Sequence, residues 1–264
     1  MKDILSEIVV NKKIEVARQK KELSLKELEK QLQQKADIPF KSLKEALENS
    51  ETGIIAEFKR RSPGKGWLHK DADVGVAAKA YDDVGATALS ILTDEKFFGG
   101  TLTDLKSAVQ NVNIPVMRKE FIVDEYQIYQ AKLYGASAVL LIAAAITKEE
   151  SIRFTKLANQ LELDVLLELH DERETDYISP LNELIGVNNR NLGSFVTDTE
   201  KSFRMAELLP IESVWVSESG ISDVNVVKEL RDAGYKGFLI GELFMKTGNP
   251  GESLMKFIQQ ITGV

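Results

Sequence analysis

Cysteine is absent from the 264 residues. That excludes disulfides, thiolate nucleophiles and cysteine-ligated zinc. Histidine is scarce: only His69 and His170 occur, and no His-Glu-x-x-His pattern, so no metal site is expected and no cofactor is assigned. Positive charge is in deficit, with 34 Lys and Arg against 41 Asp and Glu for a net charge of −7. Nucleic-acid binding needs basic surface, so no nucleic-acid partner is expected. A local basic pocket can still hold an anion on an acidic chain. Long apolar runs are missing too. The longest, Ala138 to Ile146, falls far below the ~20 residues that cross a bilayer. The opening Met1-Lys2-Asp3-Ile4-Leu5 lacks the continuous apolar core of a signal peptide. The expectation is a cytoplasmic monomer with no membrane partner.

What is present has a regular order. Residues 1–48 read as a helical N-terminal extension. Ile4, Leu5, Ile8 and Val9 form an apolar stripe at helical spacing, and Ser24 with Glu27 and Ser42 with Glu45 have capping-box spacing. The extension is expected to cap one end of the main body. From residue 50 onward, eight short apolar, β-branched runs follow: Gly53–Phe58, Ala88–Leu92, Pro115–Met117, Ala138–Ile142, Asp164–Leu169, Leu184–Val187, Ser213–Val216 and Gly237–Ile240. Amphipathic stretches lie between them, such as Val74–Asp83, Glu125–Tyr134, Lys148–Asn159 and Val224–Ala233. Gly85, Gly135 and Gly234 each close a helical stretch just before a strand. Strand spacing on the order of 25 residues, alternating with helices, implies a parallel sheet. Eight units predict an α/β fold, a (β/α)8 TIM barrel spanning 1–264 as a single domain. A doubly wound sheet of the same elements is the alternative.

The apolar runs finish in charged residues that no turn requires. In a barrel, all carboxyl-terminal strand ends meet at one face, where active sites lie. Alternation along a strand places Glu57 with Lys59, Met117 with Lys119, and Leu166 with Glu168 on a common face. Two lysines and two carboxylates would then meet at the barrel mouth, an arrangement suited to proton transfer. The competing reading is an inward salt-bridge plug, but buried ion pairs stabilise poorly compared with apolar packing. His170 is read as supporting or solvent-facing, and Arg60 and Arg61 as outward or loop-facing.

Ser219-Gly220 and Gly241-Glu242 stand after the seventh and eighth strands, where barrels often bind phosphate through backbone amides; simple turns are the alternative. The segment Ser62-Pro63-Gly64-Lys65-Gly66-Trp67 after the first strand reads as a loop able to cover the site. It is not a nucleotide loop, because the Gly-x-x-x-x-Gly-Lys-Ser/Thr spacing is absent.

At these strand ends the chain resembles the indole-3-glycerol-phosphate synthase family. The segments that carry the resemblance are Ala56-Glu57-Phe58-Lys59-Arg60-Arg61-Ser62-Pro63, Leu92 through Gly100, Arg118-Lys119-Glu120-Phe121, Leu167-Glu168-Leu169-His170, Ile185 through Leu192, and Ser217-Glu218-Ser219-Gly220-Ile221. The resemblance runs from about residue 50 to 250, and the helical extension looks like the family's as well. It implies a lyase of tryptophan biosynthesis acting on a small phosphosugar, 1-(2-carboxyphenylamino)-1-deoxyribulose 5-phosphate, by ring closure, decarboxylation and dehydration. By the same resemblance, Lys119 is the general acid, with Lys59, Glu57 and Glu168 completing the catalytic set. Ser62, Phe98, Phe121, Asn188, Arg190, Leu192 and Glu218 would line the substrate pocket. Ser219, Gly220, Gly241 and the Glu242 backbone would take the phosphate. Glu120 departs from the aspartate usual in the family, without effect on the lysine before it. Two other classes stay open: a different phosphosugar barrel enzyme such as phosphoribosylanthranilate isomerase, or a non-catalytic binder of an anionic metabolite.

Overall fold

The computed structural model describes residues 4–35, 39–191 and 196–263. Eight parallel strands follow one another around a closed barrel: β1 (Ile54–Phe58), β2 (Ala88–Leu92), β3 (Val116–Lys119), β4 (Ala138–Ile142), β5 (Asp164–Leu169), β6 (Leu184–Asn188), β7 (Val214–Glu218) and β8 (Gly237–Ile240). Closure is the pairing of β8 with β1, with Ile55 opposite Leu239. That pairing rules out the doubly wound sheet, whose outer strands stay unpaired.

Side-chain alternation divides the apolar residues into two layers. Ile55, Met117, Leu166, Val216 and Leu239 point inward and form an interior column. Their neighbours Ile54, Val116, Leu167, Trp215 and Phe238 point outward and pack under the surrounding helices. The helices are sharply bounded. Asp73 caps Val74–Asp83 by accepting from the Val76 amide, and Thr147 with Glu150 forms a full capping box on Lys148–Gln160. Gly85, Gly135 and Gly234 all have positive φ, as left-handed helix exits require.

Three strands run further than the apolar pattern indicates. β3 continues through Arg118 and Lys119, β6 through Asn188, and β7 through Ser217 and Glu218. Ladder hydrogen bonds do not depend on side-chain polarity, so the backbone stays extended where the side chains turn polar at the mouth.

The extension does more than cap one end. Helix α1 (Ile4–Glu22) lies over the mouth, where Leu5 and Ile8 join the interior column beside Phe97 and Phe121. Helix α2 (Leu25–Gln34) packs on the outside, its Leu28 against Tyr126 of the Glu125–Leu133 helix. Helix α3 (Leu43–Glu48) closes the opposite end. Leu43 and Leu47 enter the same column, and the Ser42 hydroxyl donates to Asp164 Oδ2 at 2.9 Å, at the first residue of β5. The extension therefore seals both ends, whereas the sequence pattern suggested only one. Among the described residues, no helix is long and apolar enough to cross a membrane.

Leu47 is fully buried in the barrel floor. Leu47→Ala leaves a cavity there and should lower unfolding free energy by about 2–5 kcal/mol. Urea denaturation checks this; a loss below about 0.5 kcal/mol, the scale of surface substitutions, would show that α3 does not support the floor.

Candidate active site

Each odd-numbered strand contributes one inward charged residue to a layer at the mouth: Glu57 from β1, Lys119 from β3, Glu168 from β5 and Glu218 from β7. Barrel interiors are filled by such layers, drawn from alternate strands. Here the layer is ionic. Lys119 Nζ lies 2.9 Å from Glu168 Oε2 and 2.5 Å from Glu218 Oε2. Lys59 Nζ, one turn of the pleat above Glu57, lies 2.5 Å from Glu57 Oε1. The four groups read from the sequence thus converge at one end of the barrel, in two pairs. Two glycines make the room, Gly186 on β6 and Gly241 just after β8. A Cβ on Gly186 would stand 2.2 Å from Glu218 Oε1, and one on Gly241 would stand 2.8 Å from Glu57 Oε1.

Burial opposes the charge on Lys119, but the carboxylates of Glu168, Glu218 and Glu57 outweigh it and hold the ammonium protonated above its ordinary range. Burial also works against the Glu168 carboxylate; Lys119 and His170 overcome it and keep that group well below the usual carboxylate range. Glu218 goes the other way. Burial, reinforced by the neighbouring Glu168 charge, pushes it up to about 8 despite the pull of Lys119. One ammonium thus serves two carboxyls, and Glu218 is the one that more readily holds a proton.

Above this layer is a cavity of about 350 Å³, lined by Glu57, Lys59, Lys119 and Glu168. Ser62, Phe98, Phe121, Asn188 and Arg190 line it as well, and so do Ser219, Gly220, Gly241 and Glu242. Leu192 lies outside the described residues. Glu218 is not among the lining residues; its carboxyl sits behind Lys119, 1 % exposed. The Phe98 and Phe121 rings face each other across 5.8 Å. Ser219 has φ of +69°, a left-handed conformation uncommon for a residue with a side chain, and Gly220 follows at +77°. Backbone strain of this kind clusters at ligand sites. The Glu242 carboxylate is taken up by Lys65 and, at 3.5 Å, by Arg190, so it is turned away from the adjacent backbone turn.

His170 takes the supporting place that its reading allowed, whereas Leu5, Ile8 and Lys65 were not named as site residues from sequence. His170 shares the inward face with Glu168, and its Nε2 lies 2.6 Å from Glu168 Oε1 while Nδ1 lies 3.3 Å from the Arg190 carbonyl. The signal was there, since the two residues are two apart on one strand. Leu5 and Ile8 of α1 form part of the cavity wall. The apolar stripe announced a buried helix face, though not which surface it would meet. Lys65 lines the cavity from a short hairpin, Arg61–Ser62 paired with Gly66–Trp67. Arg60 points away, as read, and binds Asp104 through two nitrogens at 2.7 and 2.9 Å.

Comparison with known proteins gives the family. Residues 5–257 match the family model for indole-3-glycerol phosphate synthase. A Bacteroides thetaiotaomicron protein of that name is 54 % identical over 262 residues, covering 99 % of this chain and 100 % of its own. Proteins of the same name from Neisseria meningitidis serogroup B and Desulfotalea psychrophila are 41 % and 40 % identical, over 93 % and 96 % of this chain and 95 % and 98 % of theirs. With matches of this extent running from α1 to the last helix, the chain belongs to the indole-3-glycerol phosphate synthase family, carboxy-lyases of tryptophan biosynthesis.

Proposed function

We propose that this site closes, decarboxylates and dehydrates 1-(2-carboxyphenylamino)-1-deoxyribulose 5-phosphate to give indole-3-glycerol phosphate, CO2 and water. The observation that carries the residue assignment is the Lys119 ammonium, held between two carboxyls at the floor of an anion-compatible cavity.

The substrate has an aromatic end and a phosphate end. The facing rings of Phe98 and Phe121 suit the first. The paired left-handed residues Ser219 and Gly220, with the Gly241-Glu242 turn after the neighbouring strand β8, suit the second, because exposed backbone amides bind phosphate without a dedicated cation. Arg190, Lys59 and Lys65 add positive charge to the wall. The ketone then lies between the two ends, over Lys119.

Ring closure joins the ring carbon bearing the carboxylate to the ketone carbon. The ketone oxygen gains negative charge as the bond forms. Lys119 is held too firmly protonated to hand its proton to a neutral ketone, but it is well placed to stabilise and then protonate the developing alkoxide. Glu168 keeps its ammonium aimed inward. Loss of CO2 leaves its electron pair in the ring and restores aromaticity. Dehydration then removes the new hydroxyl and a proton from the adjacent carbon, which needs an acid and a base together. The Lys59–Glu57 pair and the Glu168 carboxylate supply them. Asn188 and Ser62 orient the sugar chain.

The purified, EDTA-treated protein should convert this substrate to a product with indole fluorescence, and Lys119→Ala should reduce kcat by roughly 10²–10⁴-fold with an unchanged circular dichroism spectrum. No indole signal from the wild type would reject the function. Near-normal turnover by Lys119→Ala would reject the role given to that lysine.

Glu218 sets a pH dependence. Below about 8 it is protonated, and of the two carboxyls in contact with Lys119 only Glu168 is charged. As pH rises through that value, Glu218 ionises, Lys119 binds its proton more tightly, and the acid step slows. The expected profile of kcat/KM falls on the alkaline side near pH 8, and Glu218→Gln, which cannot ionise, should remove that limb. An alkaline limb that persists unaltered in Glu218→Gln would show that another group controls it.

A further inference from the structure

The inner face of α1 is the buried series Leu5, Ile8, Lys12 and Val16, so a lysine occupies a position in an otherwise apolar stripe. Its side chain is 0 % exposed. The ammonium lies 3.0 Å from Asp94 Oδ2, 3.1 Å from Glu120 Oε1 and 3.0 Å from Glu15 Oε2. Burial disfavours the charge, but Glu120, Asp94 and Glu15 together outweigh it and hold Lys12 protonated above its ordinary range.

Simple packing does not explain this choice. An apolar side chain between Ile8 and Val16 would bury as well, and replacing buried ion pairs by apolar groups is often neutral or stabilising. The carboxylates that Lys12 holds are the informative part. Asp94 follows β2, and its Oδ1 accepts the Phe97 amide at 2.7 Å, capping the short helix that carries Phe98. Glu120 follows β3, and its Oε1 accepts the Phe121 amide at 2.9 Å. The other oxygen of Glu120 takes the Thr93 hydroxyl at 2.8 Å and Arg118 at 3.4 Å. One buried ammonium therefore holds two carboxylates, each of which fixes a backbone turn bearing one of the facing cavity rings.

We propose that Lys12 is a positioning residue that couples the seating of α1 over the barrel mouth to the placement of Phe98 and Phe121, so that the aromatic end of the substrate binds well only when the helix is docked. Lys12 reaches neither the Lys119–Glu168–Glu218 cluster nor the Glu57–Lys59 pair through any of these contacts, so its effect falls on binding and not on the acid–base steps. The inference rests on the aromatic subsite proposed above.

The test uses Lys12→Met, similar in length and uncharged, with Glu120→Gln severing the same tie from the other side. Both should raise KM for the carboxyphenylamino-deoxyribulose phosphate by about tenfold or more, while kcat stays within about threefold of wild type. Hydrogen exchange at the Phe97 and Phe121 amides should quicken in Lys12→Met, with exchange in the barrel strands unchanged. If Lys12→Met does not fold, Glu120→Gln carries the kinetic prediction. A wild-type KM in the folded variants, or a fall in kcat at constant KM, overturns the proposal. Should the wild type make no indole product, the function fails instead, and exchange at the two amides still decides whether Lys12 positions those turns.

Discussion

The Lys119 ammonium, gripped by Glu168 and Glu218, is a contact among three alternate strands, distant in sequence, whose inward side chains meet inside the closed barrel. Taking these charges out of water is unfavourable, and their mutual attraction offsets that only if the geometry is good. The fold supplies the geometry in two ways. Alternate strands deliver their inward residues to one layer, and glycines at 186 and 241 leave the space that the Glu218 and Glu57 carboxyls fill. The apolar column below and the outer helices keep the layer in register. The strand ends lack such support at the mouth, and there α1 and its buried Lys12 take over.

Stability and reactivity are accordingly divided along the barrel axis. The floor is sealed by leucines from α3, flanked by the Ser42–Asp164 hydrogen bond and the Lys44–Glu183 ion pair. The mouth carries excess carboxylate around Lys119, strained backbone at Ser219, and cations facing open cavity. Charge left imperfectly balanced is poor for stability and useful for chemistry, because an incoming anion with a developing oxyanion completes what the resting site lacks.

Much of this was legible in the sequence. Period-two parity placed Glu57, Lys59, Lys119 and Glu168 on one face because a strand has only two faces to offer. The glycine exits and capping residues gave helix boundaries to within a residue or so, as for Val74–Asp83. What escaped were relations between elements. The ends of β3, β6 and β7 were placed short, since hydrophobicity fades at the mouth while the backbone ladder continues. Glu218 looked like a pocket residue, and only its contact with Lys119 across the barrel interior shows that its carboxyl is buried there and does not line the cavity. Lys12 was not singled out at all, because its partners Asp94 and Glu120 lie more than 80 residues away.

The most direct test of the central claim is a crystal structure with indole-3-glycerol phosphate bound. The account predicts the phosphate on the backbone of Ser219-Gly220 and Gly241-Glu242, the indole ring beside Phe98 and Phe121, and the Lys119 ammonium facing the ring carbon that bore the departed hydroxyl. A product bound with its indole ring at the opposite side of the cavity, or with Lys119 still enclosed by its two carboxyls and out of reach, would contradict it.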